Sequence, residues 1–139
     1  MADARLIVEF SIKGPPVSLQ TKSSPRRRSW KLAVAAAARA RLPADFEPFS
    51  GPVSVRITYF YDDESPDVDN IIKPIQDALT GLVYLDDAQV EDTGAMKRSL
   101  DGSYRLEGAS PTLLDAFVEG EIFLYVRVSE YVDSGELHR

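Results

Sequence analysis

The sequence predicts an α+β fold, one small domain in which a mixed β-sheet is packed by two main helices. Apolar and polar side chains alternate through residues 53–61, VSVRITYFY, as in a strand with one buried face. Over 70–80, Ile71, Ile72, Ile75, Ala78 and Leu79 recur every three or four positions, which is the period of a helix with one buried stripe. The 139 residues contain no internal repeat and no long linker, so residues 1–139 form a single domain with its own core.

The elements follow in chain order. Residues 5–12 alternate Leu6, Val8, Phe10 and Ile12 against Arg5, Ile7, Glu9 and Ser11, a half-buried strand that Lys13-Gly14-Pro15-Pro16 ends. Residues 13–28 read as a basic mobile loop. From Ser29 as N-cap, residues 30–42 form an alanine-rich helix with Trp30, Val34 and Ala37 or Ala38 inward and Arg39 and Arg41 at its cation-favouring end. Pro43, Pro48 and Gly51-Pro52 mark a connection to the strand at 53–61, which feeds the solvated loop Asp62-Asp63-Glu64-Ser65-Pro66. The next helix takes Asp69 or Asn70 as its cap, carries Pro74 in its first turn and stops at a left-handed Gly81. Residues 88–98 continue as a strand that bends near Gly94. Asp101-Gly102 is a hairpin turn returning through 103–106, and Pro111 opens a short helix over 111–118. Residues 121–128 form the last strand, with Ile122, Leu124, Val126 and Val128 on one face, before a frayed tail at 133–139.

The chemistry gathers in residues 66–90. Asp67 and Asp69 stand at the mouth of the second helix, and Asp86 and Asp87 follow it. If the chain reverses at Gly81, Leu82 to Leu85 are long enough to run back along the helix and bring Asp86 and Asp87 to its N-terminal end. Carboxylates so gathered repel unless a cation intervenes, and oxygen-only donors suit Mg²⁺ or Mn²⁺ better than zinc. A solvated acidic rim is the alternative, since acids also cap helices. An EF-hand does not fit, because its loop glycine would fall at Val68 or Ile72.

The formal charge of −6 is unevenly spread: residues 1–41 carry +7 and residues 42–139 carry −13. A basic N-terminal part joined to an acidic one fits contact with nucleic acid. Lys22, Arg26, Arg27, Arg28, Lys31, Lys97 and Arg98 are candidates to meet DNA phosphates, although a solvated basic surface would use the same residues. The absence of cysteine excludes disulfides and thiolate zinc sites, and the lone His138 excludes a histidine triad. With no apolar run of spanning length and no signal-like N-terminus, the expected setting is the cytoplasm, without a membrane.

Asp67-Val68-Asp69-Asn70, then Lys73, Asp77, Ala78, Leu79, Gly81 and Asp86-Asp87-Ala88-Gln89-Val90, resemble the signature of the RusA family of Holliday-junction resolvases. The resemblance implies a small α+β homodimer that uses Mg²⁺, with Mn²⁺ as a substitute, to cut the phosphodiester backbone of four-way DNA junctions in recombination and repair. It places Asp67, Asp69 and Asp87 as the essential metal-binding carboxylates, Asp86 as a supporting ligand and Lys73 as the functional lysine. Without the family, Lys73 reads equally as a helix ion pair with Asp69 or Asp77. Two other readings remain at this level: a branched-DNA binder without turnover, and a metal-stabilised interaction protein.

Overall fold

The computed structural model describes residues 4–17, 24–62, 69–102, 108–133 and 135, with Asp69 described by its backbone alone. Strands β1 (Leu6–Lys13), β2 (Val53–Tyr61), β3 (Val90–Ser99) and β4 (Phe123–Glu130) form one mixed sheet in the order β1-β4-β2-β3. The pairing is antiparallel throughout except for β2 with β3, which run parallel. Helices α1 (Ser24–Arg39), α2 (Asp69–Leu79) and α3 (Pro111–Glu119) complete the domain, with a short 3₁₀ turn at Asp87–Gln89.

The alternation of β2 sets the layers. Val53, Val55, Ile57 and Tyr59 are buried on the face that meets Trp30, Val34 and Ala38 of α1 and Ile71, Ile75, Ala78 and Leu79 of α2. Val8 and Phe10 of β1 and Leu124, Val126 and Val128 of β4 complete this core. On the opposite face, Phe60, Phe123 and Tyr125 pack with Ala116 and Phe117 of α3 in a smaller cluster. There the ring of Phe60 stacks on Phe123 at 4.7 Å between centroids and meets Phe117 edge-on at 4.8 Å.

Helix termini follow local chemistry. Pro111 lies in the first turn of α3, Ser110 caps it by accepting from the Leu113 N–H, and Gly120 closes it at φ 72°. Gly81 has φ 86°, the left-handed stop that the sequence calls for after α2.

Three expectations are corrected. The first helix begins at Ser24 rather than Ser29, so Arg26, Arg27 and Arg28 lie on α1 and not in a mobile loop. Arg27 donates to Ser24 Oγ at 3.0 Å, a local bond that the run of arginines did not advertise. Pro74 sits inside α2, whose first residue is Asp69, because the helix starts two or three residues earlier than Ile71 or Ile72. Strand β3 pairs with β2 without interruption at Gly94; instead, Gly94 lies opposite Arg56, and a Cβ there would come within 2.5 Å of the guanidinium. The glycine makes room for an arginine rather than a bend. Lys22, His138, the loop at 63–68, the hairpin return through 103–106 and most of the tail fall outside the described residues.

Ile75 is fully buried between α2 and the sheet. Truncation by Ile75→Ala should cost about 2–5 kcal/mol of folding free energy through lost transfer energy and a residual cavity. Urea unfolding of the two proteins checks this.

Candidate active site around Asp87 and Lys73

Helix α2 is the crossover between the parallel strands β2 and β3. Its buried stripe leaves Lys73, Asp77 and Thr80 on the outer side, where the chain returns. Gly81 N–H donates to the Tyr84 carbonyl at 2.7 Å, Val83 N–H donates to the Leu79 carbonyl at 2.9 Å, and Phe49 N–H donates to the Val83 carbonyl at 2.9 Å. This return is a compact turn rather than an extended run. Asp87 therefore arrives alongside the outer face of α2, where it meets Thr80 after the last turn and Lys73 in the second. From Asp69 to Leu79 the helix rises about 15 Å.

One side chain spans the gap. Lys73 Nζ lies 2.9 Å from Asp77 Oδ1 and 3.1 Å from Asp87 Oδ2, joining the two halves of the acidic stretch. The other oxygen of Asp87 faces Thr80 Oγ1 at 3.1 Å. Thr80 Oγ1 is also 2.9 Å from the Gln76 carbonyl, but that carbonyl already accepts from the Thr80 N–H at 3.0 Å and the Tyr84 O–H at 3.1 Å. The one hydroxyl proton of Thr80 is thus shared between the Gln76 carbonyl and Asp87.

These bonds set the charge state. The Lys73 ammonium first, then the Thr80 hydroxyl, hold the Asp87 carboxyl below its ordinary 3.8, against the opposing effect of burial. Hydrogen bonds to Asp77 and Asp87 raise Lys73 above its ordinary 10.5. The pair is thus fully ionised at neutral pH. Its contribution is present above the ordinary carboxyl value and is lost as pH falls through the lower folded value of Asp87; at the alkaline end it is lost as pH rises through the raised value of Lys73. Burial pushes Tyr84 up to about 12, so its hydroxyl stays a donor to Gln76.

Asp86 has a different task. It is the N-cap of the 3₁₀ turn, accepting from the Ala88 N–H at 2.9 Å. Gln89 closes the capping box by accepting from the N–H groups of Leu85 at 2.8 Å and Asp86 at 2.9 Å. The amide of Gln89 also donates to the carbonyls of Phe49 at 2.7 Å and Gly51 at 2.8 Å. Gln76 of α2 donates to Thr93 of β3 at 2.7 Å, tying the helix to the strand that Asp87 introduces.

The structure thus brings together Lys73, Asp77 and Asp87, while the Asp86 side chain is turned to its cap. Asp67 and the side chain of Asp69 lie outside the described residues, and among the described residues no three metal-ligating side chains cluster. Lys31, Arg26 and Arg28 are exposed on α1, and Lys97 and Arg98 are exposed near the end of β3. β1 and β2 both run antiparallel to β4, so their C-terminal ends share one end of the sheet with the end of β3. Arg26 lines a cavity with Lys13 at the end of β1, which places the start of α1 at that same end of the sheet.

Sequence reasoning gave no role to Thr80 or Gln76 and named Gln89 only as part of the signature. The spacing Asp86-x-x-Gln89 is a capping-box signal and could have exposed the last. Asp92 is a further ionised carboxyl, held down first by Ser54 at 2.7 Å and opposed by burial, with Arg56 at 2.6 Å. Thr93 meets α2, so the alternation of β3 puts Asp92 on the opposite sheet face, away from Asp87.

The sequence profile described as endodeoxyribonuclease RusA matches residues 10–107. The chain belongs to the RusA endodeoxyribonuclease family. No curated protein sequence matches it. The matched span runs from β1 through β3 and contains the whole crossover with Lys73 and Asp87. RusA proteins are Holliday-junction resolvases, and the four-stranded mixed sheet with its helices is the RusA-like α+β domain that the sequence predicts. No helix among the described residues is long and apolar enough to cross a membrane.

The Asp87 carboxyl should titrate below 3.8 in wild type and move upward in Lys73→Ala, which removes the first cause of its depression. Thr80→Val should move it in the same direction. Carboxyl ¹³C shifts followed from acid to neutral pH check both.

Proposed function

We propose that the protein is a metal-dependent, structure-specific endodeoxyribonuclease that resolves Holliday junctions by paired phosphodiester cleavage in DNA recombination and repair. The observation that carries this reading is the Lys73–Asp87 pair at 3.1 Å, which links the two separate halves of the family signature across the crossover. The side chains are about half exposed, and such pairs contribute only ~0–1 kcal/mol to folding. Stability is thus a weak reason to place them together, whereas phosphate chemistry needs both charges at an accessible surface.

Asp67, Asp69 and Asp87, supported by Asp86, are the residues that would hold Mg²⁺, or Mn²⁺ in its place. The donor set fits: it is entirely carboxylate oxygen, the chemistry of a hard cation, and the described residues contain neither cysteine nor histidine to favour a softer one. A bound divalent ion supplies charge neutralisation at the phosphate and a more acidic water. The chain supplies the rest. Asp87 stays ionised through neutral pH because Lys73 and Thr80 hold it so. Lys73 limits repulsion among the carboxylates and sets a fixed positive charge where negative charge grows on the phosphate during cleavage. The basic positions Lys22, Arg26, Arg27, Arg28, Lys31, Lys97 and Arg98 take the phosphates of the junction arms. Two strands must be cut symmetrically, so a homodimer with one site per subunit suits the substrate.

Cleavage of a synthetic four-way junction in Mg²⁺ or Mn²⁺, with linear duplex as control, tests the proposal. Paired nicking should depend on the metal and disappear in Asp69→Asn and Asp87→Asn. Lys73→Ala should lower the rate by ~10²–10³-fold while leaving the folded state intact. Well-folded wild type that binds the junction and cuts in neither metal would move the protein to a noncatalytic branched-DNA binder. Light scattering with and without junction measures the subunit number, and a monomer in both conditions would remove paired cutting by a dimer.

A further inference from the structure

We infer that Gln89 is a positioning residue for the active site, locking the Asp86-Asp87 turn to the segment before β2; this rests on the nuclease reading of Asp87. A capping box uses only the acceptor half of such a side chain. Here the carbonyl oxygen takes both N–H groups at 85 and 86, while the amide nitrogen gives both its hydrogens to the carbonyls of Phe49 and Gly51. All four contacts lie between 2.7 and 2.9 Å. Turning the amide over would set donor against donor and acceptor against acceptor, so its orientation is fixed by the network.

The two segments it joins are far apart in sequence, and neither lies in a strand or α-helix: one is a single 3₁₀ turn and the other an isolated bridge. The 49–51 segment precedes β2, and its neighbours supply two other ties: Phe49 N–H donates to the Val83 carbonyl, and Phe49 bridges Tyr84 in parallel register. Val83 and Tyr84 are fully buried. Gln89 therefore extends a rigid base outward to the one turn that carries Asp86 and Asp87. Without the donor half, that turn would hang between the end of α2 and the start of β3, with Lys73 and Thr80 holding Asp87 only by exposed contacts. Groups that orient a metal-binding carboxylate act through the ligand and are costly to lose, typically ~10–100-fold in metal affinity or activity.

Two substitutions separate the strap from the cap. Gln89→Glu keeps an acceptor for the N–H groups at 85 and 86 but places a carboxylate against two carbonyls. Gln89→Asn keeps both functions and adds no charge, but is one methylene too short to serve both sides. Mn²⁺ uptake by calorimetry, the Mn²⁺ concentration for half-maximal junction cleavage, junction affinity in Ca²⁺ and thermal unfolding are measured for each. The expected result is that both variants need ~10–100-fold more Mn²⁺ for uptake and for cleavage, while junction affinity in Ca²⁺ stays within about twofold. A purely structural glutamine would change unfolding and leave Mn²⁺ uptake by the folded protein unaltered, which overturns the inference. So does Gln89→Glu tightening Mn²⁺ while Gln89→Asn matches wild type, because added charge alone then explains the change. If Gln89→Glu does not fold, the Asn variant decides by the same readouts. Wild type that takes up Mn²⁺ but cuts no junction defeats the nuclease reading alone, and calorimetry still decides the role of Gln89. Wild type that takes up no Mn²⁺ overturns both.

Discussion

The parallel pairing of β2 with β3 is the constraint on which the rest of the molecule depends. Parallel neighbours cannot be joined by a tight hairpin, so the chain leaving β2 at Tyr61 must cross one face of the sheet before it can enter β3 at Val90. That crossover contains α2 and the turn after it, and the stretch from Tyr61 to Val90 holds every acidic residue of the family signature. Its buried stripe of Ile71, Ile75, Ala78 and Leu79 fixes which side of the helix looks outward. Lys73, Asp77 and Thr80 then have no choice of direction. The same packing that stabilises the domain aims the chemistry.

Energetics and function divide cleanly between the two sides of α2. The inner side is dry and apolar, with side chains whose loss leaves cavities. The outer side carries exposed charges whose mutual attraction is screened by water and adds little to folding. Yet those charges are arranged in detail. The Gln76 carbonyl meets the Thr80 N–H, the Thr80 hydroxyl and the Tyr84 O–H, and the same Thr80 hydroxyl also meets Asp87. Tyr84 is buried, Thr80 is not, and both meet the same helix carbonyl.

Much of the fold was legible because its signals are local. Strand β2 keeps the bounds read from strict alternation, and Pro111 and Gly120 frame α3 as turn chemistry requires. The alternation of Leu124, Val126 and Val128 likewise gave β4 its buried face. The start of α1 was misread because Ser29 resembles a cap, whereas the helix extends back to Ser24 through three arginines that are good helix formers. Gly94 was misread for a similar reason. A glycine inside a strand signals a bend or a close approach, and only the partner opposite, Arg56, decides for the approach. The run from Gly81 to Leu85 was long enough to return along the helix, but its hydrogen bonds to Leu79 and Phe49 fold it into a turn.

The sequence by itself determined most of the elements, the division of charge and which residues are candidates for the chemistry, since periodicity, capping and motif are properties of neighbours along the chain. It could also have shown the capping box of Asp86 and Gln89. Only the tertiary structure decided that Lys73 meets Asp87 as well as Asp77, that Gln89 reaches Phe49 and Gly51 across 40 and 38 positions, and that Asp92 belongs to the other face of the sheet with Ser54 and Arg56. The physical reason is the same in each case. A hydrogen bond between distant segments depends on the register of strands and the pitch of a helix against them, and those are fixed by how the whole core closes.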